Sequence, residues 1–215
     1  MTRETNPIDE MIKRTLRYWY VDGLAEMGGG AVILLYAAYM VGVSLFTAGS
    51  PQIAAVALGL GQPLVILLGG LLVKRVVRHF KETLTFPRTG YVAYPRQKGS
   101  GRWKRILQTA LIAAAVGAVM ALVSEGLPEN LMFLVSGVMI GLFLAYLGYT
   151  FGLIRFYIIA GLSALLGAAC ALLNFQGTLL MGVFFGGMGL MWVFSGLFTL
   201  RNYLRDTEPL EVEDE

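Results

Sequence analysis

Residues 27–73 read MGGGAVILLYAAYMVGVSLFTAGSPQIAAVALGLGQPLVILLGGLLV, 47 consecutive positions without an Asp, Glu, Lys or Arg. A helix needs about 20 apolar residues to cross the hydrocarbon core of a bilayer, so this stretch is long enough for two. Ser50-Pro51 lies near its middle, an N-cap residue followed by proline at the first helical position. The expected spans are therefore 31–48 and 51–73, joined by a tight turn.

Three more uncharged windows follow, at 106–124, 130–154 and 156–200. They add spans at 104–123, 130–149, 153–173 and 178–200, which makes an all-α membrane protein with six transmembrane helices over 31–200. Composition agrees: 56% of the 215 residues are hydrophobic and 14% charged, against about 25% charged in soluble domains. An outer-membrane barrel is excluded, since its strands alternate polar and apolar residues.

Segment 1–30 carries Ile8, Met11, Ile12, Leu16 and Trp19 near helical spacing, opposite Lys13, Arg14 and Arg17. That pattern predicts an N-terminal interfacial amphipathic helix, with Gly28–Gly30 as a hinge before the first span. One continuous helix with a glycine-rich patch is the alternative. The second span is expected to project to about residue 82, into a basic loop at 74–103. Leu84–Phe86 and Tyr91–Tyr94 flank Pro87–Gly90 and suggest a small β-hairpin. Residues 201–215 form an acidic tail, expected to be mobile.

All 17 Lys and Arg fall on one side of this six-span arrangement, and none in the turns at 49–50, 124–129 and 174–177. The positive-inside rule then places both termini and the loop in the cytoplasm.

The chemistry-bearing residues are few. One Cys, Cys170, excludes an intrachain disulfide, and one His, His79, excludes a two-histidine metal, haem or phosphatase site within one chain. No His lies in a span to pair with an intramembrane serine, and no cofactor is expected. Asp22-Gly23-Leu24-Ala25 resembles the opening of the alcohol-phosphatidyltransferase motif. Those enzymes need further metal-binding aspartates downstream, and no Asp occurs between Asp22 and Asp206. Asp22 and Glu26, one helical turn apart, are otherwise either functional carboxylates or hydrated groups paired with a nearby Arg. Arg155 stands close enough to the end of its span to snorkel.

Three residue sets remain. Gly137 and Gly141, and Gly182 and Gly186, are GxxxG pairs; with Gly189 they mark either packing within the bundle or a homodimer face. Gly61, Gln62 and Pro63 interrupt the second span, as substrate sites of transporters do, although a proline kink satisfied by neighbouring helices explains them too. Lys74, Arg75, Arg78 and Lys81 follow that span directly and are expected to contact anionic lipid headgroups or an acidic partner. Nucleic acid is not an expected partner, because no binding motif accompanies the charge.

Phe86–Val92 (FPRTGYV), Gly152–Tyr157 (GLIRFY) and Ser195–Leu200 (SGLFTL) together resemble uncharacterised bacterial multi-pass membrane proteins, a family with no assigned activity. The resemblance implies a bacterial inner-membrane location. The residues themselves lead to the expectation of a non-enzymatic scaffold or complex subunit. A small permease or lipid-handling transporter using the second-span break is the alternative.

Overall fold

A computed structural model describes residues 20–47, 49–86, 107, 111, 118, 126–173 and 177–207. Five helices in it are long and apolar enough to cross a membrane: α1 (Leu24–Phe46), α2 (Pro51–Thr85), α3 (Glu129–Phe151), α4 (Ile154–Leu172) and α5 (Gly177–Asp206). No strand occurs among the described residues. Leu84–Phe86 continue α2 as helix and are not the first arm of a hairpin; the second arm, Tyr91–Tyr94, lies outside the described residues. So do residues up to 19 of the expected interfacial helix, whose remainder is a turn at 20–23 and the start of α1, and most of the third span, of which Leu107, Leu111 and Ala118 are helical and exposed.

Helix α1 begins at Leu24 and runs unbroken through Gly28–Gly30, so no hinge precedes the first span. Glycine inside a helix costs about 0.5–1 kcal/mol relative to alanine, and close contact is the reason for it here. A Cβ on Gly28 would stand 2.6 Å from Cγ2 of Val77 in α2, and one on Gly30 would stand 2.8 Å from the Gly189 carbonyl in α5.

The α1–α5 contact is antiparallel and repeats every seven residues. Gly23 faces Gly196, Gly30 faces Gly189, and Gly182 sits against Ala37 and Val41. A seven-residue repeat keeps two helices in register as they wind about each other. The absence of side chains at these points lets the backbones touch where lipid supplies no hydrophobic drive. Gly186, the other half of the expected GxxxG pair, has only Ala37 Cβ nearby, at 3.8 Å.

Helices α3 and α4 form a second antiparallel pair on a four-residue spacing. A Cβ on Gly137 would lie 2.6 Å from the Ser163 carbonyl and one on Gly141 2.8 Å from the Ala160 carbonyl, while Gly167 faces Phe133 and Gly137 in return. Gly152, at φ 65°, turns the chain between them. The pairs meet in a core of Phe133, Cys170, Leu180, Phe184 and Met188. Both expected glycine faces are therefore covered within one chain, and a homodimer through them would first require α1 or α4 to be displaced.

Helix α2 faces α1 with every fourth residue. Gly69 lies under Val32 and Leu35, Val73 and Val77 under Gly28, and Lys81 and Thr85 reach Asp22. Two π-helical turns, Ala57–Gly61 and Lys81–Thr85, widen it locally. The first absorbs Gln62-Pro63 without unwinding. The Tyr39 hydroxyl donates to the Ala57 carbonyl at 2.6 Å, and the missing side chain of Gly61 makes room for that phenol ring. Gly61, Gln62 and Pro63 thus widen a continuous helix and do not break it.

Candidate functional site

The polar interior gathers at the N-terminal end of α1. Gly23 adopts φ 70°, the left-handed region open to glycine, and its Cβ position is taken by the Gly196 carbonyl at 2.3 Å. The turn sets Asp22 beside the first helical amide: Leu24 N donates to Asp22 Oδ1 at 3.1 Å. Glu26 follows in the first turn. Both carboxylates stand where the helix dipole favours negative charge, and both are fully buried.

Each carboxylate faces a different neighbour. Asp22 Oδ2 accepts from Thr85 Oγ1 at 3.0 Å and lies 3.2 Å from Lys81 Nζ, both on α2. Glu26 Oε1 lies 2.7 Å from Arg155 Nη2 on α4, and its Oε2 accepts from Ser195 Oγ on α5 at 3.2 Å. Arg155 also donates to Thr199 Oγ1 at 3.0 Å and to the Tyr20 carbonyl. One guanidinium therefore ties α4 to α1, to α5 and to the turn before α1.

Aromatic rings close this network from one side. Tyr20 stacks on Phe151 at 4.9 Å and meets Phe156 edge-on at 5.6 Å; Phe156 in turn meets Trp192 at 6.4 Å. Burial first, and the Glu26 carboxylate second, push the Tyr20 phenol above its ordinary pKa. The guanidinium lies 5.9 Å from the Phe156 ring centroid, within the range of a cation–π contact. Low dielectric strengthens each polar contact and makes an unpaired charge costly.

The sequence reading placed Lys81 with Lys74, Arg75 and Arg78 as a headgroup-binding set. The structure separates them. Lys74, Arg75 and Arg78 are exposed, whereas Lys81 is 6% exposed and held by Asp22. Its place on the inner four-residue stripe, after Gly69, Val73 and Val77, is the signal that could have found this. Arg155 does not snorkel outward; it turns in to Glu26. Ser195, Thr199 and Thr85 had no signal, because single hydroxyls in apolar helices ordinarily bond their own backbone. Thr199 does that too, donating to the Ser195 carbonyl at 2.9 Å.

Among the described residues, no three His, Cys, Asp or Glu side chains cluster as a metal site would require. The chemistry this arrangement supports is charge pairing: two anions and two cations from three helices and a turn, with the hydroxyls of Thr85, Ser195 and Thr199 bonded to them and Arg155 Nε left buried without a hydrogen-bond partner.

No protein-family model, curated protein or solved structure matches the chain.

Proposed function

We propose that the protein is a non-enzymatic scaffold or complex subunit of the bacterial cytoplasmic membrane, with six spans and both termini and the 74–103 loop in the cytoplasm. The observation that carries this reading is how the buried charges are used. Asp22–Lys81 and Glu26–Arg155 each close a helix–helix contact, so the groups best placed for chemistry are engaged in holding the bundle. Lys74, Arg75 and Arg78 remain exposed on the projecting end of α2, available to anionic headgroups or an acidic partner. The orientation is supported by the one-sided distribution of all 17 basic residues.

Native mass spectrometry of the protein released gently from its membrane tests this. A co-purifying partner or second copy is expected, lost on Lys74→Glu/Arg75→Glu/Arg78→Glu. Reporter fusions within 97–101 should be cytoplasmic and those at Gly126 should not.

A small permease or lipid-handling transporter working at Gly61, Gln62 and Pro63 is the second reading. The π-turn at Ala57–Gly61 favours it, because such turns recur at functional sites. Solute-dependent flux in liposomes that Gly61→Ala abolishes would establish it over the scaffold.

A further inference from the structure

Residues of α4 and α5 beside Arg155 line an open groove of about 880 Å³. Both walls change character in the same direction. Along α5 the lining residues at four-residue spacing are Phe194, Phe198, Asn202 and Asp206; along α4 they are Leu162, Ile158 and Arg155. The apolar members are left uncovered, with Phe194 64%, Phe198 67% and Ile158 59% exposed. From Phe194 to Asp206 the helix rises about 18 Å at 1.5 Å per residue. That length suits a polar headgroup with the upper part of one acyl chain.

The charge at the mouth narrows the occupant. Arg155 on one lip is neutralised from behind by Glu26, and Asp206 on the other lip by Arg205 at 3.0 Å. Each lip thus carries one charge already paired within the chain, of opposite sign across the groove. A zwitterionic headgroup meets a cation on one lip and an anion on the other, with Asn202, one helical turn before Asp206, as a neutral hydrogen-bonding group in the lining. We propose that this groove binds one phospholipid with a zwitterionic phosphoethanolamine headgroup, its phosphate toward Arg155, its ammonium toward Asp206 and one acyl chain along Ile158, Leu162, Phe194 and Phe198. The site is separate from the exposed basic residues of α2 and does not depend on the scaffold reading.

The full-length protein is reconstituted in bilayers of equal phosphatidylethanolamine and phosphatidylglycerol, and retained lipid is counted by native mass spectrometry at low and high salt. One phosphatidylethanolamine per chain is expected, in preference to phosphatidylglycerol and at both salt concentrations, since short-range pairing is screened little. Leu162→Trp and Ile158→Trp each fill the groove from its exposed wall. They should lower retention about tenfold, equivalent to 1.4 kcal/mol, without lowering thermal stability. Asp206→Asn should bring the two lipids toward equal retention. Lys74→Gln/Arg75→Gln/Arg78→Gln should leave phosphatidylethanolamine retention unchanged. Undiminished retention in both Trp variants, enrichment of phosphatidylglycerol in the parent, or loss of phosphatidylethanolamine at high salt would overturn the proposal.

Discussion

Helix α1 is held on two faces, and by different means. Toward α5 backbone meets backbone at Gly23–Gly196 and Gly30–Gly189, with side chains also packed against the α5 glycines, Leu34 against Gly189 and Val41 against Gly182. Toward α2 the contact is side chain on backbone, with Val73 and Val77 lying over Gly28 and Tyr39 reaching across to Gly61. Two buried ion pairs stand at one end of α1, Asp22–Lys81 to α2 and Glu26–Arg155 to α4, and they differ in what stands behind them. Asp22 keeps two further donors, Leu24 N and Thr85 Oγ1, whereas Glu26 keeps Ser195 alone. In a bilayer neither face gains from expelling water, so closeness of approach and satisfaction of charge must supply the association. The α5 face includes backbone contacts that cannot yield, whereas the close contacts of Gly28 and Gly61 on the α2 face are all to side chains that can.

The largest effect expected from this difference is at the ion pairs. Arg155→Met leaves Glu26 buried with one hydroxyl donor and should cost about 3–5 kcal/mol of stability in detergent. Lys81→Met leaves Asp22 with its amide and hydroxyl donors and should cost less, about 1–3 kcal/mol. Adding Glu26→Gln to Arg155→Met should recover much of the loss. Equal losses in the two single variants would break the comparison.

Next is the glycine seam. Gly196→Ala would place a Cβ 2.6 Å from the Gly23 carbonyl, 2.6 Å from Met27 Cγ and 2.7 Å from Met27 N. Overpacking of this kind costs about 1–3 kcal/mol, and truncating Met27 should relieve only part of it, because two of the three nearest atoms are backbone. Thermal unfolding of the variant, alone and with Met27→Ala, measures this.

On the opposite face, Gly28→Ala meets only Val77 Cγ2 at 2.6 Å and Val73 Cγ1 at 2.9 Å. A loss near the lower end of that range, about 1 kcal/mol, should be largely restored by Val77→Ala. A loss that Val77→Ala leaves untouched would mean that this face is as unyielding as the other.

The smallest effect is expected at Gly186. Its added Cβ would lie in ordinary contact with Ala37, at 3.8 Å. Gly186→Ala should therefore be neutral, or stabilising by up to about 1 kcal/mol through helix propensity. A clear loss in thermal stability would restore the four-residue GxxxG reading of α5 over the seven-residue seam.

Much of this architecture is legible in residues taken one segment at a time. The helices α3 and α4 fall within two residues of their expected limits, because a bilayer imposes a length and an absence of charge that any single window displays, whereas α5 continues to Asp206 and takes the first six residues of the expected tail into the helix. The start of α1 was missed: Gly28–Gly30 resembles a flexible hinge until α2 and α5 are seen pressed against it. The interruption at Gly61–Pro63 was visible as a pattern, but its outcome was not. Whether proline there unwinds the helix or is absorbed by a π-turn depends on Tyr39, 24 positions earlier in the chain.

The candidate site was only half visible. Asp22 and Glu26 stand out as carboxylates beside an apolar run, and the sequence alone determined that they lie at the boundary of a membrane helix. It also determined the apolar helices themselves, since length and absence of charge are local along the chain. Only the tertiary structure decided that Glu26 meets Arg155, 129 positions away, that Lys81 points inward while Arg78 points out, and that Gly182, Gly189 and Gly196 act on a seven-residue period. The physical reason is that pairing and close approach are properties of two surfaces together, and a segment's own periodicity specifies its face but not the face it meets.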